Sequence, residues 1–458
     1  MIRRFLLILI ILFPFIGRGQ YAGHSTISFE SLYSTGNDLP FWFSHNQSGR
    51  YDTLTKSVQA LSVQSYHRFN DLFGSPLNLK LGIDGSFQYN NHFSFRFNEL
   101  YAKTFLWNFK LEAGWFHDEE NFSGLSSSNG DLTRSLNARP YPKVRFGTDQ
   151  FIPFFFFKEW FSFKAEYDEG WLGDDRYVKG THLHHKSLYG KFRLNNRCYL
   201  TAGLNHFVMW GGISPLYGQL PDDFHSYLLY ITGQAGDAKF LETDQYNVAG
   251  NQLGSYYLQL DVIRDRFNLT FYYSHPFEDR SGMEYDNWRD NLIGAYFMLS
   301  KRALINKVVY EFMYTLNQSG PIHQYHVMRG RDNYFNHGIY MSGFTYREYT
   351  LASPLFSPLT VSDGVVRGIA NNRLVMHHLG VEGSISTALT WKGLFTYSHN
   401  LGTYNNPYEN PKNQFSSLLS FTYSTPSFPV DLSLAAGVDL GDMYQNRCGI
   451  LIQISKKW

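Results

Sequence analysis

The amino-acid sequence predicts an all-β protein, a transmembrane antiparallel β-barrel of about 18 strands carrying a short helical insertion. Three observations point there. Aromatic residues make up 18% of the chain, with 33 Tyr and 40 Phe, and charged residues only 17%, yet the mean hydropathy is −0.32. A helical membrane protein would be apolar overall and a soluble enzyme more charged; this mixture suits a wall that is greasy outside and wet inside. Several segments alternate apolar and polar residues over lengths beyond the ~5–6 residues of an ordinary globular strand. The closing stretch, Gly449 to Trp458, alternates in the same way and stops on an aromatic residue.

Taken in order, the chain opens with Arg3 and Arg4, an apolar run from Phe5 to Ile16, and small residues at Gly17-Arg18-Gly19. That pattern is a secretory signal peptide, residues 1–19, with cleavage near Gly19–Gln20. No Cys follows the run, and no later run of about 18 apolar residues offers a membrane helix. Residues 20–458 are then the barrel. In Leu77 to Tyr89, Leu77, Leu79, Leu81, Ile83, Phe87 and Tyr89 share one face, and Asn78, Lys80, Asp84, Ser86 and Gln88 the other. Phe161 to Tyr167, Ser255 to Asp261, Leu418 to Tyr423 and Asp431 to Leu440 read likewise. Turn clusters separate such runs, at Asn195-Asn196, Ser281-Gly282, Asn405-Asn406-Pro407, Thr425-Pro426-Ser427 and Gly441-Asp442. About 438 residues at about 24 per strand and connection gives about 18 strands, and an even number is the rule.

Two long loops are expected, Asp118 to Arg139 and Gly211 to Asp244. In the second, Asp222 or Asp223 caps a helix across Phe224 to Ile231, placed as a plug or surface lid. In the closing strand Ile450, Ile452, Ile454 and Trp458 share a face. This strand resembles the C-terminal signal of bacterial outer-membrane barrels, from which Lys456 departs. Export plus that signal implies the outer membrane of a gram-negative bacterium. A net charge of +1 suggests no nucleic-acid partner. Cys198 and Cys448 are too far apart in sequence to argue for or against a disulfide.

Two motifs stand out: NDLPFWFSHNQSGRYD (Asn37 to Asp52) and LNHFVMWGG (Leu204 to Gly212). A first strand ending in Gly-Asn/Asp, then Pro-Phe-Trp, a polar step, Asn and Gly-Arg resembles the capsule-assembly Wzi family. The later Asn205, His206, Phe207, Trp210, Gly211 and Gly212 are also similar to that family. The resemblance implies an outer-membrane barrel of about 18 strands that is no enzyme, needs no cofactor and holds exported capsular or other surface polysaccharide. No local match carries over the family's binding residues. The residues themselves supply candidates, because sugars bind where aromatic faces lie beside hydrogen-bonding groups. These are Trp42, Trp115 with Asp118, Trp171 with Asp174 and Arg176, and Trp210 with Asn205 and His206. The competing reading of each Trp is an aromatic girdle at the membrane interface.

A porin-like diffusion channel for small solutes is the alternative function, since a barrel this wide encloses an aqueous bore unless something fills it. Weaker readings are a glycosidase using paired loop carboxylates, calcium at Asp174-Asp175 or Asp118-Glu119-Glu120, and a metal on His182 and His184, which share a strand face. Two His-x-Ser pairs, His92 with Ser94 and His185 with Ser187, have the spacing of a base and nucleophile on one strand face. None has the further partners its chemistry needs, so no catalytic or metal residue is expected. The expected partners are surface polysaccharide and outer-membrane lipid. The sequence leaves the oligomeric state open.

Overall fold

Eighteen antiparallel strands close into one barrel in the computed structural model, which describes residues 20–458 apart from 158–159, 321, 325–326, 330–331 and 361–363. The expected signal peptide, residues 1–19, lies outside the described residues. The strands are β1 (Gln20–Ser34), β2 (Ser57–Asn70), β3 (Leu77–Tyr89), β4 (Phe93–Leu106), β5 (Phe109–Trp115), β6 (Pro142–Thr148), β7 (Phe161–Trp171), β8 (His182–Asn195) and β9 (Cys198–Trp210). The second half comprises β10 (Asn251–Ile263), β11 (Phe267–Phe277), β12 (Asn291–Leu299), β13 (Lys307–Tyr314), β14 (Leu374–Ser384), β15 (Leu389–Gly402), β16 (Pro407–Tyr423), β17 (Asp431–Gly441) and β18 (Arg447–Lys457). Neighbours in sequence pair as hairpins, and β18 returns to β1, from Thr26 opposite Lys457 to Ser34 opposite Gly449. Closure leaves no edge, the condition for a sheet in lipid. No helix among the described residues is long and apolar enough to cross a membrane.

Alternation does what the sequence requires of it. Along β18, Ile450, Ile452 and Ile454 point outward, while Gly449, Leu451, Gln453 and Ser455 point in. Lys456 shares the outward parity but is the second-last residue of the strand. Its ammonium lies 5.5 Å from the centre of the Trp458 ring, at the strand end, where a long side chain carries its charge to the interface. On β4 a bulge opposite Asp84/Gly85 inserts one residue. Asn98 and Glu99 therefore both face the lumen, where they bond Asp84 and Tyr66.

The two barrel ends differ. The connections at the end holding the C-terminus are short, for example residues 107–108 and 196–197. The opposite end carries the segments 35–56, 116–141, 211–250 and 315–373. Two of these had been expected as loops. The other two were not, and they fill much of the interior. The helix α2 (Phe224–Thr232) forms where expected, with the Asp223 carboxylate accepting from the N–H groups of His225 and Ser226. It lies against the outer wall of β7–β9 rather than in the bore. Ser281-Gly282 is part of a helical turn in the 278–290 connection, because Asp279 bonds three groups of Ser281 and Gly282. Both cysteines are free.

Candidate functional site

The lumen is occupied by the chain's own segments, and the first is a plug. In residues 35–56 a single helical turn, α1 (Phe41–Ser44), turns Phe41, Trp42 and Phe43 inward until none is exposed by more than about 1%. The N–H of Phe41 donates to Asp439 at 2.9 Å, and Arg447 holds that same carboxylate at 2.7 Å. Pro40 and Phe43 press on two wall glycines: a Cβ at Gly449 would come within 2.7 Å of Pro40 and one at Gly437 within 3.0 Å. Farther along, Arg50 pairs with Asp84 at 2.8 Å, and the Tyr51 hydroxyl donates to Glu30.

The second segment, 116–141, crosses the lumen from β5 to the far wall. There Glu311 of β13 accepts from the Ser126 hydroxyl (2.5 Å), the Ser127 N–H (2.7 Å) and hydroxyl (2.5 Å), and the Tyr272 hydroxyl (2.7 Å). Asp131 is bonded by Asn205, Ser255 and Ser274 from three consecutive strands, β9, β10 and β11. His378 bonds the Leu125 carbonyl at 2.8 Å, and Gly380 beside it has no room for a Cβ, which would lie 2.2 Å from that carbonyl oxygen. On the near side the crossing rests on a buried ionic cluster. Arg145 makes a two-pronged bond to Asp168 (2.7 and 2.6 Å) and reaches Asp118 at 2.8 Å, while Arg134 joins Asp118 (2.7 Å) to Glu166 (3.2 Å). Burial opposes ionisation of Asp118, but Arg134, Lys143 and Arg145 hold its carboxyl well below the usual carboxylate range.

The third segment, 315–373, caps the other two. Tyr349 donates to the Tyr51 carbonyl at 2.6 Å, Ser135 to the Ala352 carbonyl at 2.6 Å, and Thr53 to Glu348. Burial and the neighbouring Asp52 push the Glu348 carboxyl up to about 7. A carboxyl raised in the folded state stabilises fully below its unfolded value near 4.5, and that contribution is lost as pH rises through 7. Amides 345–352 should therefore exchange about tenfold more slowly at pH 5 than at pH 8, after correction for intrinsic rates. Glu348→Gln should remove that difference, and an unchanged pH dependence in Glu348→Gln refutes the assignment.

The structure distributes the nine sequence candidates over three places. Trp42, Asp118, Arg176 and Asn205 are inside; the last three bond within the chain, and the Trp42 ring packs edge-on against Phe41. Arg176 donates to the carbonyls of Thr345 (3.0 Å) and Gly343 (3.2 Å), and burial pulls it down to about 10. Asn205 donates to Asp131 (2.9 Å) and the Tyr189 hydroxyl (2.6 Å). Trp115, Trp171, His206 and Trp210 point outward, Trp115 and Trp171 exposed near the long-loop rim, Trp210 stacked on His182 at 4.4 Å. Asp174 is exposed in the 172–181 connection. The nine do not converge on one surface. Sequence reading missed Glu311, Asp131 and the whole 315–373 cap; for Glu311 alone, a lone carboxylate on the lumen-facing parity of β13 was the available signal. His182 and His184 lie on the outer wall, and among the described residues no group of three His, Cys, Asp or Glu is arranged to hold a metal. Both ring nitrogens of His185 are engaged, by Asp168 and Asn205, which leaves neither for Ser187.

Two spaces remain. Between crossing segment and cap, about 40 Å3 is lined by Asp118, Arg134, Tyr141, Lys143 and Phe344, room for a few waters. Below the plug a vestibule of about 510 Å3 opens toward the short-turn end. Glu30, Gln64, Gln453, Ser455 and Lys457 line its walls, and Trp42, Phe43 and Tyr51 roof it.

Comparison with known proteins agrees with this architecture. The profile of the family described as capsule assembly protein Wzi matches residues 20–361. Among solved structures the chain is similar to Wzi of Escherichia coli, described as an outer-membrane protein involved in group 1 capsule assembly and a carbohydrate-binding β-barrel. The two are 13% identical with a TM-score of 0.59, over 98% of this chain and 87% of that one. The chain is also similar to Pseudomonas aeruginosa OccK2 (OpdF) in complex with glucuronate, at 10% identity and a TM-score of 0.50, over 96% and 98% of the two chains. At such identities the likeness is one of fold. No protein with curated function matches the sequence.

Proposed function

Because this chain belongs to the capsule assembly protein Wzi family, we propose that it is a non-enzymatic outer-membrane barrel that holds capsular or other surface polysaccharide on the cell. Family membership carries the reading. The packing of the lumen supports it, since plug, crossing segment and cap occupy the bore that a diffusion channel would keep clear. Residues 1–19 serve as the cleaved export signal. Short turns face the periplasm and the long segments face outward, so polysaccharide meets the 172–181 and 278–290 connections and the outer side of the cap. Of the sequence candidates, Asp174, Trp171 and Trp115 keep exposure at that rim and are the contacts we assign. The other six pack or bond inside the barrel or lie beneath α2 and hold the frame. Each sugar repeat binds weakly, and many repeats on one chain raise the avidity.

The test is deletion of the gene in the native strain. Polysaccharide should still be made and exported, with most of it shed into the medium instead of pelleting with cells. Normal retention in the deletant overturns the reading. Purified protein should be electrically silent in planar bilayers; a steady open conductance without glycan affinity would favour the channel.

A further inference from the structure

The helix α2 packs on a face of the barrel that ought to be bare. Outward positions lower on the same strands are apolar and exposed, as at Leu188, Leu204 and Leu258. Higher up, the outward parity changes character: Glu169 on β7, His184 and Lys186 on β8, His206 on β9 and Gln252 on β10. This polar seam lies two to four residues below the level of Trp171, His182 and Trp210, where a barrel wall normally meets lipid. Polar groups facing hydrocarbon without partners are costly.

The 211–250 segment covers the seam. Tyr227 of α2 donates to Glu169 at 2.5 Å and bonds the Tyr167 hydroxyl. His184 bonds Glu169 at 2.6 Å. Lys186 donates to the carbonyl of Ile231 in the last turn of α2, where a cation also meets the negative end of the helix. Gln252 donates to the carbonyls of Tyr230 (2.9 Å) and Ala249 (2.6 Å). A small apolar cluster of Val208, Trp210, Tyr230, Phe240 and Ala249 seals the side nearest the rim. The opposite edge of the helix is the reverse. Phe224 is 74% exposed and Leu228, one turn on, 41%.

We propose that α2 is an interfacial helix of the outer leaflet, with the Phe224–Leu228 edge lying among lipid acyl chains and the Tyr227 edge sealing the polar seam. Continuity decides the occupant: the helix bonds Tyr167 and Lys186 on the outer wall, and Lys186 stands only two residues above Leu188, an exposed position of the lipid-facing band on the same outward parity. The exposed face of the helix mixes the large apolar side chains Phe224 and Leu228 with His225 and Thr232, the composition of a helix lying at the boundary of water and lipid. The segment replaces a stretch of wall that cannot face lipid with a surface that can.

The test uses full-length protein in lipid nanodiscs with Cys198 and Cys448 changed to Ser. A nitroxide is attached at Leu228→Cys, with Leu204→Cys as a lipid-band reference and Asp174→Cys as a loop reference. The Leu228 label should collide with dissolved oxygen rather than with a water-soluble nickel chelate, matching the Leu204 reference. Nickel access matching the Asp174 reference overturns the proposal, and so does shielding from both reagents, which means a protein surface covers the helix. Phe224→Cys repeats the measurement should Leu228→Cys fail to fold.

Discussion

Glu311→Ala frees the segment that crosses the barrel. Amides 122–132 in this variant should exchange two to three orders of magnitude faster than in the parent, and the protein should flicker between conducting levels in bilayers where the parent is silent. The reason is the density of bonds on one carboxylate. Four donors converge on Glu311: two hydroxyls and an N–H from Ser126 and Ser127, and the Tyr272 hydroxyl. Hydrogen bonds to a charged group contribute about 1.5–3 kcal/mol each, and they do not add fully. Removing the acceptor strands all four donors, so a loss of about 3–5 kcal/mol is expected for local opening of the crossing. Glu311→Gln keeps one carbonyl acceptor and should fall between. If Glu311→Ala leaves exchange unchanged, the crossing is held by Asp131 and the Leu125–His378 contact instead.

Arg145→Met is the second substitution with a large expected effect. Arg145 meets Asp168 through two parallel bonds and Asp118 through a third, with Phe116 beneath the guanidinium at 5.3 Å. Methionine fills the volume but leaves two buried carboxylates short of their strongest partner. Breaking a buried pair by removing one member costs about 3–5 kcal/mol. Urea unfolding in detergent or lipid, read from the shift of the folded band on unheated gels, should show a loss of that size. Arg145→Lys should lose nearly as much, since an ammonium cannot make the paired bonds. Arg145→Met combined with Asp168→Leu should recover part of it, because the stranded charge leaves with its partner. Wild-type stability in Arg145→Met would show that Arg134 and Lys143 suffice.

Much of the wall was legible because a strand's period is two and lipid punishes any error of phase. The span Leu77–Tyr89 was read with both ends correct, and α2 was found through its Asp223 cap. The same period held more than was drawn from it. Trp115 shares the parity of Phe109 and Leu111, and both are exposed outward, so Trp115 could not face the lumen. Asn205 and His206 are successive residues of one strand and must lie on opposite faces; they cannot belong to one lumenal site. What alternation cannot express is the direction a long connection takes. Residues 315–373 bury Tyr334, Phe335, Tyr340, Phe344 and Phe356 almost completely, and such residues in a loop look like further strand. Their burial depends on where 35–56 and 116–141 lie, a relation between distant segments. The ionic cluster was hidden for the same reason: Asp118, Arg145 and Asp168 come together only once β5, β6 and β7 are side by side.

The vestibule below the plug is a cul-de-sac, roofed by Trp42, Phe43 and Tyr51. On the proposed reading, an envelope studded with such barrels should stay as impermeable to small solutes as one without them. Copy number can therefore rise with the amount of material to be tethered, free of the ceiling that leakage sets on open pores.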